Sequence, residues 1–229
     1  TSGYILANEN SSVNELGDEP FLIKQTHNDI TVAVCENRVH GIKASLKNKN
    51  ESNLFILDDA LQHRSLKASI NIVLSKFNQP FFKDFIIPTG NLREPASGIK
   101  RANIIIISKC PYNLSETTKN DFVRKINPNF DQKVFFTSIN YKNHVLGKYQ
   151  LNHNKLSKQE VVLVTGIADS TTLENFLNKK NIIFNHLKFK DHHIYSKQDI
   201  NLIKSKSKNK NIITTKKDYF KILEIENLE

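Results

Sequence analysis

Residues 54 to 63 have the sequence Leu54-Phe55-Ile56-Leu57-Asp58-Asp59-Ala60-Leu61-Gln62-His63. The first four residues are apolar without polar alternation, which is typical of a strand buried on both faces in a parallel sheet. Open α/β sheets bind ligands at the carboxyl ends of their strands, so Asp58 and Asp59 are placed to meet a cation and the phosphates that it carries. The alternative is that both residues only cap the next turn.

Strand and helix patterns alternate along the rest of the chain. The other candidate strands cover residues 30–34, 70–74, 103–108, 134–139, 161–165, 182–187 and 211–215. Candidate helices cover residues 21–26 and 38–49, and others begin at Ser115, Ser170 and Ser196. This alternation predicts an α/β fold with a parallel sheet. The pattern loosens after residue 140, so we predict a first domain of residues 1–145 and a smaller C-terminal α/β domain of residues 146–229.

Length and composition narrow the classes of protein. The 229 residues suffice for one large or two small domains, with ordinary globular proportions of 38% hydrophobic and 24% charged residues. The net charge of +10 would suit nucleic acid, anionic lipid or a nucleotide. No zinc-finger or RNA-binding signature is present, so we do not expect nucleic acid as a partner. No apolar run reaches the length of about eighteen residues that spans a membrane.

A second motif lies between two prolines and has the sequence Pro88-Thr89-Gly90-Asn91-Leu92-Arg93-Glu94-Pro95. The prolines and the glycine restrict the backbone of this loop. Arg93 is suited to bidentate phosphate contacts, whereas lysine acts as a point charge. The alternative is that Arg93 and Glu94 form a surface ion pair of little energetic consequence.

A third motif is Asp191-His192-His193. A histidine beside a carboxylate can act as a general base or orient one. A transition-metal site would need three or four ligands, and neither an HxH nor an HExxH spacing supplies them. The alternative is a polar turn between a strand and a helix.

The motifs follow one another in a specific order. They are Gly17-Asp18-Glu19-Pro20, Asp58-Asp59-Ala60-Leu61-Gln62-His63, Pro88-Thr89-Gly90-Asn91-Leu92-Arg93-Glu94-Pro95, Asp191-His192-His193 and Thr215-Lys216-Lys217-Asp218. In this order they resemble the tetraacyldisaccharide 4'-kinases, the lipid A 4'-kinases of Gram-negative bacteria. The resemblance implies a P-loop nucleoside triphosphatase core with a smaller C-terminal α/β domain. The implied reaction transfers the ATP γ-phosphoryl group to the 4'-hydroxyl of a tetraacylated glucosamine disaccharide.

The resemblance also implies roles for individual residues. Asp18 matches the family's catalytic base, and His192 matches the histidine paired with it, with His193 as the alternative. Because Asp18 and His192 lie far apart in the sequence, we expect them to meet only when the C-terminal domain closes over the core.

The resemblance further implies which residues bind the nucleotide and which bind its metal ion. The implied metal-binding residues are Asp58, Asp59 and Glu94. The implied nucleotide-binding residues are Gln62, His63 and Arg93. The implied cofactors are ATP and Mg²⁺, and the implied partners are the acylated disaccharide lipid and an anionic membrane surface. The enzyme is then expected at the cytoplasmic face of the bacterial inner membrane.

The phosphate-binding loop G-x-x-x-x-G-K-[ST] occurs nowhere in the chain, and the chain contains no Met. The resemblance implies that this loop lies upstream of Thr1, so we expect the chain to be the remainder of a longer protein and inactive alone. Two other functions stay open. One is a metal-dependent phosphoesterase of the Asp-His-His type, and the other is a non-catalytic relative that binds the acylated disaccharide.

Overall fold

The structure is a computed structural model that describes residues 3–47, 52–142, 144–147, 151–157 and 159–225. The described chain divides into two compact units. Thr1–Phe55 and Tyr141–Glu229 form the terminal unit, and Ile56–Asn140 form the central unit. The division into domains of residues 1–145 and 146–229 stays a prediction.

Strands and helices alternate along most of the described chain, as the sequence predicts. The strands are β1 Ile5–Leu6, β2 Ala33–Val34, β3 Ile72–Lys76, β4 Ile104–Ser108, β5 Lys133–Phe136, β6 His144–Val145, β7 Leu151–Asn152, β8 Glu160–Thr165, β9 Ile183–Lys188 and β10 Ile212–Thr214. The α-helices are α1 Val13–Leu16, α2 Asp18–Thr26, α3 Arg38–Lys47, α4 Glu116–Ile126, α5 His153–Leu156, α6 Thr171–Lys179, α7 Lys197–Ser207 and α8 Lys216–Leu223. Short 3₁₀ helices cover Phe81–Lys83 and Ala96–Arg101.

The sheet of the terminal unit is parallel and covered on both faces. Its strand order is β10-β8-β9, with β8 in the centre. Val161 and Leu163 of β8 pack with α6, whereas Val162 and Val164 pack with α7 and α8. All four side chains are fully buried. This strand confirms the expectation that an uninterrupted apolar run lies inside a parallel sheet between helices.

The N-terminal residues of the terminal unit pack against its C-terminal helix. Gly17 joins α1 to α2 with φ at +88°, a left-handed conformation that favours glycine. The predicted helix around Pro20 is confirmed as α2, which begins at Asp18. Phe21 of α2 meets Phe220 of α8 edge to face, with ring centroids 6.4 Å apart. This contact holds the first turn of α2 close to α8.

The central unit contains a parallel sheet in the order β3-β4-β5. Ile105 and Ile107 of β4 are fully buried and pack with Phe122 of α4. On β3, Ile72 and Leu74 lie on the face that points away from this core, and they are 51% and 67% exposed. The described residues therefore cover one face of this sheet much more completely than the other.

The predicted strand at residues 54–57 is wrong. These residues have no regular secondary structure, and Leu54 and Ile56 are 75% and 88% exposed. An apolar run becomes a buried strand only where neighbouring strands accept its backbone hydrogen bonds and helices cover its side chains. In the described residues no strand pairs with this segment. Asp58 and Asp59 therefore follow an exposed segment and not the end of a strand.

The loosened pattern after residue 140 corresponds to the short antiparallel pair β6 and β7. Within the described residues, no helix is both long enough and apolar enough to cross a membrane.

Candidate functional site

Asp18 lies at the centre of a polar cluster in the terminal unit. It is the first residue of α2, and its side chain is only 13% exposed. Its Oδ2 atom lies 2.9 Å from Nζ of Lys221, 3.1 Å from Nδ1 of His192 and 3.3 Å from Nζ of Lys217. We call these four residues the Asp18 cluster.

The turn after β9 presents His192 to this cluster. His192 adopts φ of +55°, in the left-handed region that histidine, asparagine and aspartate enter more readily than most residues. Oδ1 of Asp191 accepts a hydrogen bond from the backbone N–H of His192 over 3.0 Å. This local hydrogen bond supports an otherwise costly backbone conformation.

The structure brings His192, and not His193, to Asp18. His193 lies 3.1 Å from Oδ2 of Asp199, at the start of α7, and stacks on Phe189 with ring centroids 4.7 Å apart. It therefore helps to hold the beginning of that helix. The choice of His192 as the partner of Asp18 agrees with this geometry.

The expectation that Asp18 and His192 meet only after a domain closure is wrong. The two residues are 174 positions apart, yet both belong to the terminal unit. The reason is that α2 packs against α8 within that unit, so the fold itself joins the two ends of the chain.

Sequence reasoning missed the part that Lys217 and Lys221 take in this cluster. They are four residues apart on α8 and therefore project from the same face of the helix. Lys217 also lies 3.3 Å from Nδ1 of His192 and 3.8 Å from Asp191. A signal was available, since Lys217 belongs to the motif Thr215-Lys216-Lys217-Asp218 and Lys221 follows it at helical spacing.

The two lysines determine the charge state of Asp18. Burial by itself would raise the pKa of Asp18, but the hydrogen bond and charge of Lys221, with the charge of Lys217, lower this pKa below its ordinary value. Asp18 is therefore ionised at neutral pH. His192 beside it is 58% exposed, so the cluster is open to solvent on that side.

The predicted residues of the central unit form a second group. Asp59 has φ of +48°, and its backbone N–H donates to Oδ1 of Asp58 over 3.0 Å. The guanidinium group of Arg93 donates to the carboxylate of Asp59. The alternative of an ion pair between Arg93 and Glu94 is not what the structure shows, because Arg93 pairs with Asp59 instead.

Glu94 is held by another arginine. Nη2 of Arg101 lies 2.6 Å and 2.7 Å from the two carboxylate oxygens of Glu94, while Arg64 lies 3.6 Å away. Nε2 of Gln62 is 3.4 Å from Oε1 of Glu94. Hydrogen bonds from Arg101 lower the pKa of Glu94, and partial burial opposes them. A Cβ atom at Gly98 would lie 2.9 Å from the Glu94 carboxylate carbon, so the backbone approaches this group closely.

Arginine side chains bond to two of the carboxylates that the resemblance assigns to a metal, those of Asp59 and Glu94. Within the described ranges, no three His, Cys, Asp or Glu side chains lie close enough together to hold a metal ion. The carboxylates of Asp59 and Glu94 instead bond to the guanidinium groups of Arg93 and Arg101. His63 is near this group in sequence, and its backbone N–H donates to Ala60.

Comparison with known proteins places the whole chain in one family. The family model described as tetraacyldisaccharide-1-P 4'-kinase matches residues 1–229. The chain belongs to the tetraacyldisaccharide 4'-kinase family. Proteins named tetraacyldisaccharide 4'-kinase from Flavobacterium johnsoniae and Flavobacterium psychrophilum are 39% and 41% identical to it over 97% and 98% of this chain. A protein of the same name from Bacteroides fragilis is 35% identical over 97% of this chain.

The chain spans 65%, 66% and 63% of the length of these three relatives. No solved structure matches it.

The contacts of Glu94 predict a stabilising role that depends on pH. Glu94→Gln is expected to lower the free energy of unfolding of the central unit by about 1 kcal/mol at pH 7, because it removes charge-assisted hydrogen bonds from Arg101. The folded state lowers the pKa of Glu94, so this stabilisation is complete above the ordinary pKa of 4.5 and is lost as the pH falls through the folded-state value. Denaturant unfolding at several pH values measures the difference.

Glu116→Gln is the matched control, since Glu116 pairs with Lys119 on the surface of α4 in the same unit and is 78% exposed. Equal effects of the two substitutions at pH 7 would contradict a specific role for Glu94.

Proposed function

We propose that the complete protein transfers the γ-phosphoryl group of ATP to the 4'-hydroxyl of a tetraacylated glucosamine disaccharide. The contact between Asp18 and His192 carries this proposal, because it supplies a base for a hydroxyl group in a chain that belongs to the kinase family. The names of the relatives support the same reaction. Family membership does not favour the phosphoesterase alternative.

Asp18 acts as the general base in this proposal. Phosphoryl transfer depends chiefly on positioning, on electrostatic stabilisation and on orienting the attacking hydroxyl group. Asp18 is ionised and accepts the proton of the 4'-hydroxyl, while His192 orients the carboxylate from the side open to solvent. The ammonium groups of Lys217 and Lys221 offset the negative charge of Asp18, which reduces its repulsion of the anionic substrates.

The central unit is proposed to contact the nucleotide. Arg93 is 63% exposed and would exchange its bond to Asp59 for a phosphate oxygen of ATP. Gln62 and His63 are proposed to lie at the same nucleotide. Asp58, Asp59 and Glu94 are proposed, from the family resemblance, to hold the Mg²⁺ ion that would bind with ATP, after Asp59 and Glu94 exchange their bonds to Arg93 and Arg101.

A P-loop type of core and attachment to a membrane surface complete the proposal. The parallel sheets of both units are compatible with such a core. The net charge of +10 suits the anionic inner surface of a bacterial cytoplasmic membrane, where the lipid substrate would be found.

Asp18 and His192 are predicted to act as a unit. In the chain extended to the length of its relatives, Asp18→Ala and His192→Ala are each expected to reduce kcat by about 10²-fold or more, as for loss of a general base. The double variant should lose little beyond the larger single loss, because each substitution already disables the same step. Initial rates with ATP and the acylated disaccharide measure all three variants.

His193→Ala is the matched control for these variants. It removes the neighbouring imidazole, whose contact is with Asp199, and is expected to leave kcat within a few-fold of the parent. Losses at Asp18 and His192 that multiply strictly would show that the two residues act separately.

Asp58 and Asp59 are predicted to serve catalysis more than stability. Both lie in an exposed turn, so Asp58→Asn and Asp59→Asn are expected to change the unfolding free energy by less than about 0.5 kcal/mol. Each should nevertheless reduce kcat strongly in the extended chain. Activity that remains unchanged across a Mg²⁺ titration in both variants would rule out the assignment.

The printed chain of 229 residues is predicted not to transfer phosphate from ATP. Phosphate binding in P-loop proteins uses the backbone N–H groups of a glycine-rich loop and a lysine on the β- and γ-oxygens. The sequence contains no such motif, and lysines on flexible stems do not reproduce a preorganised loop. An assay with labelled ATP compares this chain with the extended one. Robust turnover by the printed chain would mean that other residues hold the nucleotide.

A further inference from the structure

The ammonium group of Lys221 is buried and has one described partner. The Lys221 side chain is only 5% exposed. Burial of an unpaired ammonium group is strongly unfavourable, so such a group needs a charged or polar neighbour. Within the described part of the chain, its Nζ atom donates to Oδ2 of Asp18 over 2.9 Å. Lys221 and Asp18 therefore compensate each other's charge.

The nearest contacts of Asp18 all use the same oxygen atom. Lys221, His192 and Lys217 each make their closest approach to Oδ2. Rotation of the carboxylate would break several charge-assisted contacts together, so these contacts fix its orientation. The other oxygen, Oδ1, takes part in none of these closest approaches.

Lys217 and Lys221 differ in how they contact Asp18. The ammonium group of Lys217 is shared, because it also lies 3.3 Å from Nδ1 of His192 and 3.8 Å from Asp191. It is also the more exposed of the two lysines, at 14%. Lys221 is deeper, and among the described contacts its ammonium group pairs with Asp18 only, over a shorter distance. Lys221 is therefore the more specific partner of this carboxylate.

The fold holds Lys221 in place through contacts of the first turn and the middle of α8. The carboxylate of Asp218 is fully buried and accepts hydrogen bonds from the backbone N–H of Gly166 over 3.0 Å and from the hydroxyl of Thr215 over 2.7 Å. One residue before Lys221, Phe220 packs on Phe21 of α2. A packed helix, and not a flexible loop, thus supplies the ammonium group.

We propose that Lys221 is a positioning residue for Asp18, in which its ammonium group fixes Oδ2, keeps the carboxylate ionised and leaves Oδ1 to accept the proton of the substrate hydroxyl. The hydroxyl O–H bond breaks as a new O–H bond forms on Oδ1. The electron pair of the hydroxyl oxygen attacks the γ-phosphorus of ATP, and the bond from that phosphorus to the bridging oxygen of ADP breaks. This inference rests on the proposed role of Asp18 as base.

The first test follows the protonation of Asp18 without turnover. Carbon-detected NMR of the 229-residue chain gives the titration midpoint of the Asp18 carboxyl group. In the parent chain, the midpoint is expected below the ordinary value of 3.8. In Lys221→Met it should move to higher pH, because one cation is lost and burial remains. Lys221→Arg should keep the low midpoint of the parent.

Lys216→Met is the matched control for this titration. Lys216 is an exposed lysine on the same helix, and its ammonium group lies over the ring of Phe220. Its substitution is expected to leave the Asp18 midpoint unchanged. An Asp18 midpoint that does not move in Lys221→Met would overturn the proposal.

A second variant tests the same coupling from the other side. In Asp18→Asn, the ammonium group of Lys221 stays buried without its counter-charge, so its titration midpoint should fall well below that in the parent. Lysine side-chain NMR with a ¹³Cε label measures it, which also covers the case in which Lys221→Met does not fold. An unchanged Lys221 midpoint would overturn the inference.

Kinetics separate this inference from the proposed function. In the extended chain, the acidic limb of the kcat profile should move to higher pH in Lys221→Met and return in Lys221→Arg, whereas purely structural damage would lower kcat at every pH. If both NMR shifts occur but Asp18→Ala keeps full kinase activity, the proposed role of Asp18 fails and the positioning role of Lys221 fails with it. If Asp18→Ala is inactive and the limb does not move in Lys221→Met, only the inference about Lys221 is overturned.

Discussion

The buried carboxylate of Asp218 joins the end of β8 to the start of α8. It accepts a hydrogen bond from the backbone N–H of Gly166. The backbone of Gly166 lies so close to this carboxylate that a Cβ atom on Gly166 would be 2.8 Å from Oδ1 of Asp218. A side chain larger than hydrogen at that position would push the strand and the helix apart. The orientation of α8, and with it the direction of Lys217 and Lys221, depends on this contact. Three members of the Asp18 cluster, Asp18, Lys217 and Lys221, thus lie on helices, which hold side chains more firmly than loops do, whereas a turn supplies His192.

Asp18 combines two opposing electrostatic effects. A carboxylate surrounded by ammonium groups is reliably ionised, but the same neighbours make it a weaker base. A proton that arrives on Asp18 therefore has a strong tendency to leave again. Under the proposed mechanism, the exposed imidazole of His192 would give that proton a route to solvent.

Much of the fold follows from sequence patterns, and the failures have physical causes. The run from Val161 to Val164 became a buried central strand because β9 and β10 pair with it and helices cover both faces. The run from Leu54 to Leu57 has the same local character but no pairing partner in the described residues, so it forms no strand and Leu54 and Ile56 stay exposed. A local apolar pattern shows that a segment can be buried, but it does not show whether other strands and helices are present to pair with it and cover it.

The sites show the same division between local and long-range information. Asp18 and His192 were singled out because each belongs to a recognisable motif, and the structure places them in contact. Lys221 was missed because its role depends on the packing of α8 against α2, which joins residues that are 203 positions apart. The hydrogen bond from Arg101 to Glu94 spans only seven positions. Nothing in the sequence shows that Glu94 bonds to this arginine and not to a metal ion. Composition cannot show whether a carboxylate meets a guanidinium group or a metal ion.

The one-sided covering of the central sheet has a consequence for work with this chain. Ile72 and Leu74 lie on the exposed face of β3, and β3 is an edge strand in the described sheet. An apolar edge strand offers both its side chains and its backbone hydrogen-bonding groups to other molecules, which favours aggregation as the protein concentration rises. Purification at low concentration, or a single charged substitution on that face, would keep the chain in solution without touching the residues of the terminal unit.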